Sequence, residues 1–272
     1  MRVIRGRKAF ITGAASGIGK AIALALASEG ADLFLVDLNR EGLLDTARTA
    51  EQKQVAVQIA ACDLTREAEV TDAVARALAW GEIQILVNCA GVAPYGALHL
   101  MSAEDWRRAM AVNLLAPMQI VREFLPALSR AEEAHILNVC SIAGLVPWRK
   151  VPVYQAGKYG LVGFTLSLRA DYSRPNFGIS ALCPGFVRTP LLSEVKDPER
   201  HRSVTRIPAF CETTPDVVAA AAVAALYRNR GVVVVTAFAR AVWWLSRFSP
   251  ALFDWIVREG WRRRGKLVIG PF

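Results

Sequence analysis

The chain has 272 residues, 53% of them hydrophobic and only 19 glycine and 13 proline, which suits one globular domain and excludes collagen-like or disordered architecture. Its formal net charge of +9 is carried by the two ends, because residues 1–8 hold four basic and no acidic residues and residues 236–272 hold seven basic and two acidic ones. A basic excess confined to the ends, without a nucleic-acid-binding motif, argues against a nucleic-acid partner and favours an anionic surface or mere solubility.

Cysteine spacing and the chain ends bear on location. The five cysteines, at positions 62, 89, 140, 183 and 211, form no C-x-x-C pair, and the three histidines, at 99, 135 and 201, match no metal-ligand spacing. We therefore expect neither disulfides nor a bound metal. The basic N-terminus runs directly into a short apolar strand, without a signal-peptide core, and no run of about 20 apolar residues occurs. These features predict a cytoplasmic protein, with possible peripheral membrane contact.

Short apolar runs alternate with longer amphipathic ones along the chain. The predicted strands are residues 8–13, 31–37, 55–62, 83–91, 135–141, 178–185 and 231–237, and the predicted helices include 18–29, 66–79, 103–128, 153–174 and 215–228. The strands are apolar on both faces, as buried parallel strands are. Strand and helix alternate throughout, which predicts an α/β fold with a doubly wound parallel sheet of about seven strands. We assign residues 1–237 to this domain and residues 238–272 to a C-terminal extension.

A glycine-rich loop, TGAASGIG (residues 12–19), links the first strand to the first helix. Gly13 permits a sharp turn, Gly17 lets the backbone approach a pyrophosphate, and Gly19 lets the helix pack closely on the sheet. The free N–H groups and positive dipole of the helix N-terminus favour a bound anion. A glycine triplet alone is a weak signal, but a strand before it and a helix after it predict a dinucleotide site.

Asp37, at the end of the second predicted strand, indicates which dinucleotide binds. A carboxylate there accepts hydrogen bonds from both ribose hydroxyls of NAD and repels the 2′-phosphate of NADP. No basic residue interrupts the loop at 14–16, Leu38 follows the aspartate, and Arg40 is the only nearby cation. The sequence therefore predicts NAD as cofactor.

Further motifs follow in a fixed order: Asp63 in CDL, NCAG at 88–91, Asn113 in VNLLAP, Ser141, YQAGK at 154–158 and PGFVRTP at 184–190. Together with the glycine loop, over about residues 8–237, the sequence resembles the short-chain dehydrogenase/reductase family. The resemblance implies a single Rossmann-type domain, an oxidoreductase activity, and a homodimer or homotetramer paired through the helices at 103–128 and 153–174.

The resemblance also implies a catalytic set of four residues. Tyr154 is the general acid/base; a phenol is a poor base at neutral pH, and the charge of Lys158, one helical turn on, favours the phenolate. Lys158 also holds the nicotinamide ribose in this family. Ser141 hydrogen-bonds the substrate oxygen, and Asn113 holds a water of a proton relay through its main chain.

The implied cofactor-binding residues come from six places along the chain. Asp63 is expected to face the adenine, the NCAG residues to line the adenosine ribose, and the last motif to hold the carboxamide of the nicotinamide. The full set is Gly13, Ser16, Gly17, Ile18, Gly19, Asp37, Asp63, Leu64, Asn88, Ala90, Gly91, Tyr154, Lys158, Pro184, Gly185, Val187 and Thr189.

The extension carries four of the seven tryptophans. Ser249-Pro250 predicts the end of one short helix and the start of a second. Phe253, Ile256, Val257 and Trp261 are predicted to share one face, with Arg258, Arg262, Arg263 and Arg264 clustered toward the end. Such a segment suits a membrane interface, but it suits equally a helix packed on the body or on another subunit. It could also wall the substrate cleft, together with the loop at 191–214.

An aromatic extension beside the site favours an apolar substrate, so we predict an NAD(H)-dependent enzyme that interconverts a bulky secondary alcohol and its ketone, such as a steroid, a retinoid or a lipid-derived compound. Two other functions stay open. One is a ketoreductase of thioester-linked 3-oxoacyl groups, which Asp37 disfavours because such enzymes often prefer NADPH. The other is an NAD-binding scaffold without turnover, which the complete Ser141, Tyr154 and Lys158 set disfavours.

Overall fold

The computed structural model describes residues 1–193, 196–197, 202–203 and 211–262. Its main feature is a seven-stranded sheet in which every neighbouring pair is parallel, in the order β11-β6-β5-β4-β1-β2-β3. These strands are β1 (Lys8–Thr12), β2 (Asp32–Asp37), β3 (Val57–Ala61), β4 (Ile85–Asn88), β5 (Ala134–Val139), β6 (Phe177–Cys183) and β11 (Val232–Val234). The predicted Rossmann-type doubly wound sheet is thus confirmed.

Four two-residue strands lie outside this sheet: β7 (Phe186–Val187) pairs with β10 (Glu212–Thr213) in parallel, and β8 (Lys196–Asp197) pairs with β9 (Arg202–Ser203) in antiparallel orientation. The helices are α1 (Gly17–Ser28), α2 (Arg40–Glu51), α3 (Glu67–Trp80), α4 (Ala103–Met110), α5 (Ala116–Arg130), α6 (Pro152–Tyr172), α7 (Pro190–Ser193), α8 (Pro215–Arg228), α9 (Ala237–Phe248) and α10 (Pro250–Arg262). Single 3₁₀ turns span Leu98–Leu100 and Ile142–Gly144.

Alternate side chains of the strands enter two separate cores. In β1, Ala9 and Ile11 join a cluster with α1, α2 and α8, whereas Phe10 joins a cluster with α3, α5 and α6 on the other face. This period of two is what a sheet covered by helices on both faces requires. The carboxyl ends of the central strands β1, β4, β5 and β6 therefore open at one edge, where the predicted motifs lie.

The predicted helix at 103–128 is interrupted in the structure. A π-helical turn, Ala111–Leu115, separates α4 from α5. The sequence supplies a reason, because Pro117 has no N–H to donate to the carbonyl of Asn113, its α-helical partner four residues earlier. Such local widenings of helices are frequent at functional sites.

The extension forms two helices, α9 and α10, which meet at Ser249 and Pro250 as predicted. A third apolar cluster joins them to the body: Phe253 is buried in it and Val257 packs against it, beside Val146 and Leu161. Ile256, which was predicted on the same face, is 42% exposed and does not join this cluster. The side chains of Trp261 and Arg262, and all of Arg263 and Arg264, lie outside the described part.

In the part of the chain that the structure describes, no helix combines the length and the apolar character needed to cross a bilayer.

Candidate active site

The glycine loop has the backbone that its sequence predicts. Gly13 and Gly17 adopt φ angles of +70° and +53°, which favour glycine. A Cβ on Gly13 would lie 2.7 Å from the backbone nitrogen of Ala90, so the loop is packed against the end of β4. Ser16, the residue before α1, makes no capping hydrogen bond with its side chain. Ser16 therefore leaves the first-turn N–H groups of α1 uncapped, and an anion site requires such uncapped donors.

Asp37 is fixed beside this loop by two backbone donors. Its Oδ2 accepts a hydrogen bond from the N–H of Ala15 at 3.1 Å, and its Oδ1 accepts one from the N–H of Asn39 at 2.9 Å. No residue of the described part forms an ion pair with this carboxylate. Each oxygen keeps a further lone pair, so the carboxylate is oriented, charged and able to accept more bonds.

Asp63 and Leu64 follow β3 on the next strand outward. The Oδ1 atom of Asp63 accepts bonds from the backbone N–H and the hydroxyl of Thr65, at 2.9 and 2.8 Å, and these bonds lower the pKa of Asp63. Leu64 packs partly against the core beneath. This pair lies on the Asp37 side of the sheet, because β3 is the neighbour of β2.

The NCAG segment is held in place by side chains that the sequence motifs did not identify as site residues. The hydroxyl of Thr12 accepts bonds from the N–H groups of Cys89 and Ala90, at 3.0 and 3.2 Å. The amide of Asn88 is buried and donates to Asn138 at 2.8 Å, so this side chain points into the sheet. The Oδ1 atom of Asn88 is buried and has no hydrogen-bond partner among the described residues.

Asn113 lies in the π-helical turn and is fully buried. Its side-chain amide pairs with the backbone of Val92, accepting from the N–H at 3.1 Å and donating to the carbonyl at 2.8 Å. A Cβ on Gly91 would lie 3.0 Å from Oδ1 of Asn113 and 3.6 Å from Nζ of Lys158. Three predicted site residues, Gly91, Asn113 and Lys158, therefore meet at one point.

Helix α6 carries Tyr154 and Lys158 one turn apart. Lys158 is 4% exposed, and its Nζ donates a 2.9 Å hydrogen bond to the carbonyl of Val139. The same Nζ lies 5.9 Å from the centroid of the Tyr154 ring. One ammonium donor is used by Val139, which leaves two for other partners.

Ser141 begins the 3₁₀ turn that follows β5. Its Oγ accepts a 3.1 Å bond from the N–H of Ala143, so the hydroxyl proton remains available to donate. Gln155, within the YQAGK motif, donates to the carbonyl of Val146 at 2.9 Å and ties this turn to α6. The sequence reading did not single out Gln155, although it lies inside the motif.

A cavity of about 110 Å³ lies beside these residues. None of the lining residues in the described part of the chain carries a charge, and the hydroxyl-bearing ones are Tyr95, Ser141, Tyr154 and Thr189. Six residues of the predicted cofactor-binding set line it: Ile18, Tyr154, Pro184, Gly185, Val187 and Thr189. A Cβ on Gly17 would lie 3.3 Å from Thr189, so the glycine loop and the PGFVRTP segment meet there. The lining residues are Ile18, Ala93, Tyr95, Ser141, Ile142, Ala143, Trp148, Val151, Tyr154, Pro184, Gly185, Phe186, Val187, Thr189 and Leu191.

One side of the cavity is aromatic and reaches the extension. The rings of Trp148 and Phe186 lie 5.6 Å apart, and Phe186 lies 6.1 Å from Phe238 at the start of α9. A Cβ on Gly185 would lie 3.3 Å from Cβ of Ala239, so α9 packs directly on the PGFVRTP segment. Most of the loop at 191–214, which the sequence predicts to wall the cleft, lies outside the described residues, as does His201.

Three free cysteines, Cys89, Cys140 and Cys183, lie next to site residues. Burial raises the pKa of Cys89 to about 12. A hydrogen bond with Cys140, together with burial, raises the pKa of Cys183 well above its ordinary value. Thiols of such high pKa are not thiolates at neutral pH and are poor nucleophiles.

Comparison with known proteins gives one consistent result. Residues 7–200 match the family model described as short chain dehydrogenase. A CLA biosynthesis dehydrogenase/reductase from Lactiplantibacillus plantarum is 37% identical over 74% of this chain and 71% of its own length. The 15-hydroxyprostaglandin dehydrogenase [NAD(+)] of Rattus norvegicus is 33% identical over 72% and 74%. A 3-oxoacyl-[acyl-carrier-protein] reductase from Thermotoga maritima is 30% identical over 79% and 88%.

Solved structures agree with these relatives. A short chain dehydrogenase/reductase from Burkholderia phymatum, in complex with NAD, superposes with a TM-score of 0.81 at 30% identity over 93% of this chain and 96% of that chain. A putative NAD(P)-dependent gluconate 5-dehydrogenase from Beutenbergia cavernae, with NADP bound at low occupancy, gives a TM-score of 0.78 at 28% identity over 88% and 98%.

Proposed function

The chain belongs to the short-chain dehydrogenase/reductase family, and on that premise we propose that it is an NAD(H)-dependent enzyme that interconverts a bulky apolar secondary alcohol and its ketone. One observation carries the proposal. The hydroxyl-bearing side chains of Ser141 and Tyr154 line a cavity whose other described lining residues carry no charge, with the Lys158 ammonium 5.9 Å from the Tyr154 ring centroid.

The residues present fit a dinucleotide. The positive φ angles of Gly13 and Gly17, and the close approach of Gly13 to Ala90, disfavour any side chain at these two positions, where the backbone would face the pyrophosphate. Asp37, oriented by two backbone N–H groups, would hold the adenosine ribose and repel a 2′-phosphate. Among the relatives, the prostaglandin dehydrogenase is named for NAD, whereas one neighbouring structure holds NADP, so the preference for NAD rests on Asp37.

When bound, NAD(H) supplies the hydride acceptor or donor. The remaining steps belong to this chain. Tyr154 takes the proton of the alcohol at its phenolic oxygen, or returns it to the ketone. Ser141 donates to the substrate oxygen through its hydroxyl proton, while the bond from the N–H of Ala143 orients its Oγ. The Lys158 ammonium donates one hydrogen bond to the carbonyl of Val139 and keeps two N–H donors. These would bind the nicotinamide ribose, and the positive charge would stabilise the phenolate of Tyr154.

Asn113 completes the proton path in this proposal. Pro117 removes the α-helical partner of the Asn113 carbonyl, so this oxygen can accept a bond from a relay water near Lys158. The side chain of Asn113 is fully used by Val92, which holds the π-helical turn in register with the NCAG segment.

The substrate class is inferred from the cavity wall. The ring cluster of Trp148, Phe186 and Phe238 favours an apolar group next to the reacting carbon. Relatives that act on prostaglandins or in CLA biosynthesis support a lipid-derived alcohol or ketone over a sugar.

A thioester-linked 3-oxoacyl substrate is the second candidate, because the Thermotoga relative reduces such groups according to its name. Asp37 and the absence of charge among the described lining residues of the cavity argue against it. A non-catalytic scaffold is disfavoured by the assembled Ser141, Tyr154 and Lys158.

Two further features belong to the proposal. A homodimer or homotetramer would cover Trp106, Leu115 and Leu166, which are 41 to 56% exposed on α4, α6 and the π-helical turn. Light scattering at micromolar concentration tests this, and a monomer would contradict it. We also propose a cytoplasmic location, in keeping with five free cysteines.

The deciding experiment is a panel of alcohols and ketones assayed with both nicotinamide cofactors. The panel holds hydroxy fatty acids, steroids, retinol, small sugars and 3-oxoacyl thioesters. Highest catalytic efficiency with NAD(H) and an apolar lipid substrate supports the proposal. Efficiency confined to thioesters with NADPH supports the second candidate, and absence of turnover across the panel despite NADH binding supports the scaffold.

A further inference from the structure

Helices α9 and α10 bury one face and expose an apolar one. Their inner residues, such as Trp243 and Phe253, pack against the third core cluster. The opposite side, called the outer face here, consists of Trp244 and Phe248 on α9 and Leu252, Trp255 and Ile256 on α10. These five side chains are 47, 79, 45, 58 and 42% exposed.

The outer face is one surface across both helices. The rings of Trp244 and Phe248 stack at a centroid distance of 5.0 Å with an angle of 11° between planes. Leu252, Trp255 and Ile256 repeat at helical spacing on α10, which packs against α9. Single exposed apolar residues are ordinary, but five within thirteen residues, three of them aromatic, mark an interaction surface.

Charge distinguishes between the partners that such a surface could bind. Arg240 and Arg247 are exposed on α9, one turn from the outer-face aromatics. The exposed acid of α10, Asp254, lies 3.4 Å from Arg258, which is itself exposed. By sequence, residues 236–272 hold seven basic and two acidic residues, so a contact of this segment with its own copy would bring like net charges together. An anionic partner fits better.

We propose that the outer face docks onto an anionic lipid bilayer, with α9 and α10 lying in the plane of the interface. The helices have 12 and 13 residues, too few to cross the hydrocarbon core. Tryptophan prefers the depth of the headgroups, and flanking arginines meet the lipid phosphates there. The inner faces remain packed on the body, so docking requires no unfolding. The proposal concerns binding alone and does not depend on the proposed reaction.

The test is co-sedimentation of the full-length protein with vesicles. Equimolar phosphatidylcholine and phosphatidylglycerol is compared with phosphatidylcholine alone, at low and high salt. One variant carries Phe248→Glu and Trp255→Glu, at exposed positions where folding tolerates a charge. A second carries Arg240→Gln and Arg247→Gln. The matched control is Leu78→Glu, an apolar residue on α3 that is 38% exposed.

The protein should co-sediment with the anionic vesicles at low salt and remain in the supernatant at high salt. The outer-face variant should bind at least about tenfold more weakly, because two apolar anchors are replaced by anions. The arginine variant should bind about tenfold more weakly, and Leu78→Glu should stay within about twofold of the parent protein.

Failure of the parent protein to bind anionic vesicles at low salt would overturn the proposal, as would equal binding by the outer-face variant. A change from oligomer to monomer in the outer-face variant, without vesicle binding by the parent, would assign the surface to a second copy instead. Equal, salt-independent binding to neutral vesicles would overturn the role of the arginines.

Discussion

Gly157 and Asn113 approach so closely that a Cβ on the glycine would lie 3.0 Å from the Cβ of the asparagine. The contact joins α6 to the π-helical turn between the two catalytic positions of the YQAGK motif. Asn113 is fully buried and fixed by Val92, so it cannot move aside. The distance from the proposed relay residue to Tyr154 and Lys158 is therefore set by the absence of a side chain at Gly157.

Gly157→Val should lower kcat by about a hundredfold, because displacement of α6 by a fraction of an ångström misaligns the reacting groups. The matched control is Gly163→Ala on the same helix, where a Cβ would meet no atom within 4 Å. That control should keep its activity and gain about 0.5–1 kcal/mol of unfolding free energy, since alanine is the better helix former. Near-native kcat in Gly157→Val would show that the contact does not position the site.

Asp37→Asn should reduce the preference for NAD over NADP by about a hundredfold, because the repulsion of the 2′-phosphate is removed. The amide oxygen can still accept one of the two backbone bonds that Asp37 now accepts, which limits damage to the loop. The ratio of kcat/KM for the two cofactors measures the effect. Asp45→Asn, an exposed acid of α2 that pairs with Lys20, is the control and should leave the ratio unchanged.

The lowered pKa of His135 should make the unfolding free energy depend on pH. It is fully buried between β5 and β6, with Nε2 2.9 Å from the Ser180 hydroxyl, and burial lowers its pKa from 6.5 to about 3. Between pH 6.5 and about 3, His135 is protonated in the unfolded chain but neutral in the folded chain. The unfolding free energy therefore falls as pH drops from 6.5 toward 3. The slope from this residue approaches about 1.4 kcal/mol per pH unit.

Denaturant titrations at several pH values measure that slope. His135→Asn should be less stable at pH 7 but should lack this part of the slope. The exposed His99→Asn should retain it. An unchanged slope in His135→Asn would show that other groups cause the acid sensitivity.

The fold was predictable because the strands are short apolar runs that alternate with helical patterns. Gly13, Asp37 and Ser141 could be placed from sequence because they follow or end a strand, and Tyr154 and Lys158 because they lie one turn apart in a helical pattern. The π-helical turn was not predicted, although Pro117 marks it, because a proline inside a helical pattern usually only ends or kinks a helix.

Contacts between segments that are distant in sequence could not be predicted from the sequence. Nothing local indicates that Thr12 holds Ala90, or that β7 pairs with β10. Likewise Ile256 and Val257 are neighbours with the same apolar character, and only the packing of α10 against the body decides that Val257 contacts the third cluster while Ile256 stays exposed.

The most direct test of the proposed reaction is single-site removal of the Tyr154 hydroxyl. Turnover of the best substrate by Tyr154→Phe should fall about a thousandfold, the usual contribution of a general acid/base. NADH binding, measured by fluorescence titration, should stay within about twofold, because the ring is retained. Tyr159→Phe, a partly exposed tyrosine of the same helix, should behave as the parent enzyme. Near-native turnover by Tyr154→Phe would contradict the assignment of Tyr154 as the proton-transferring group.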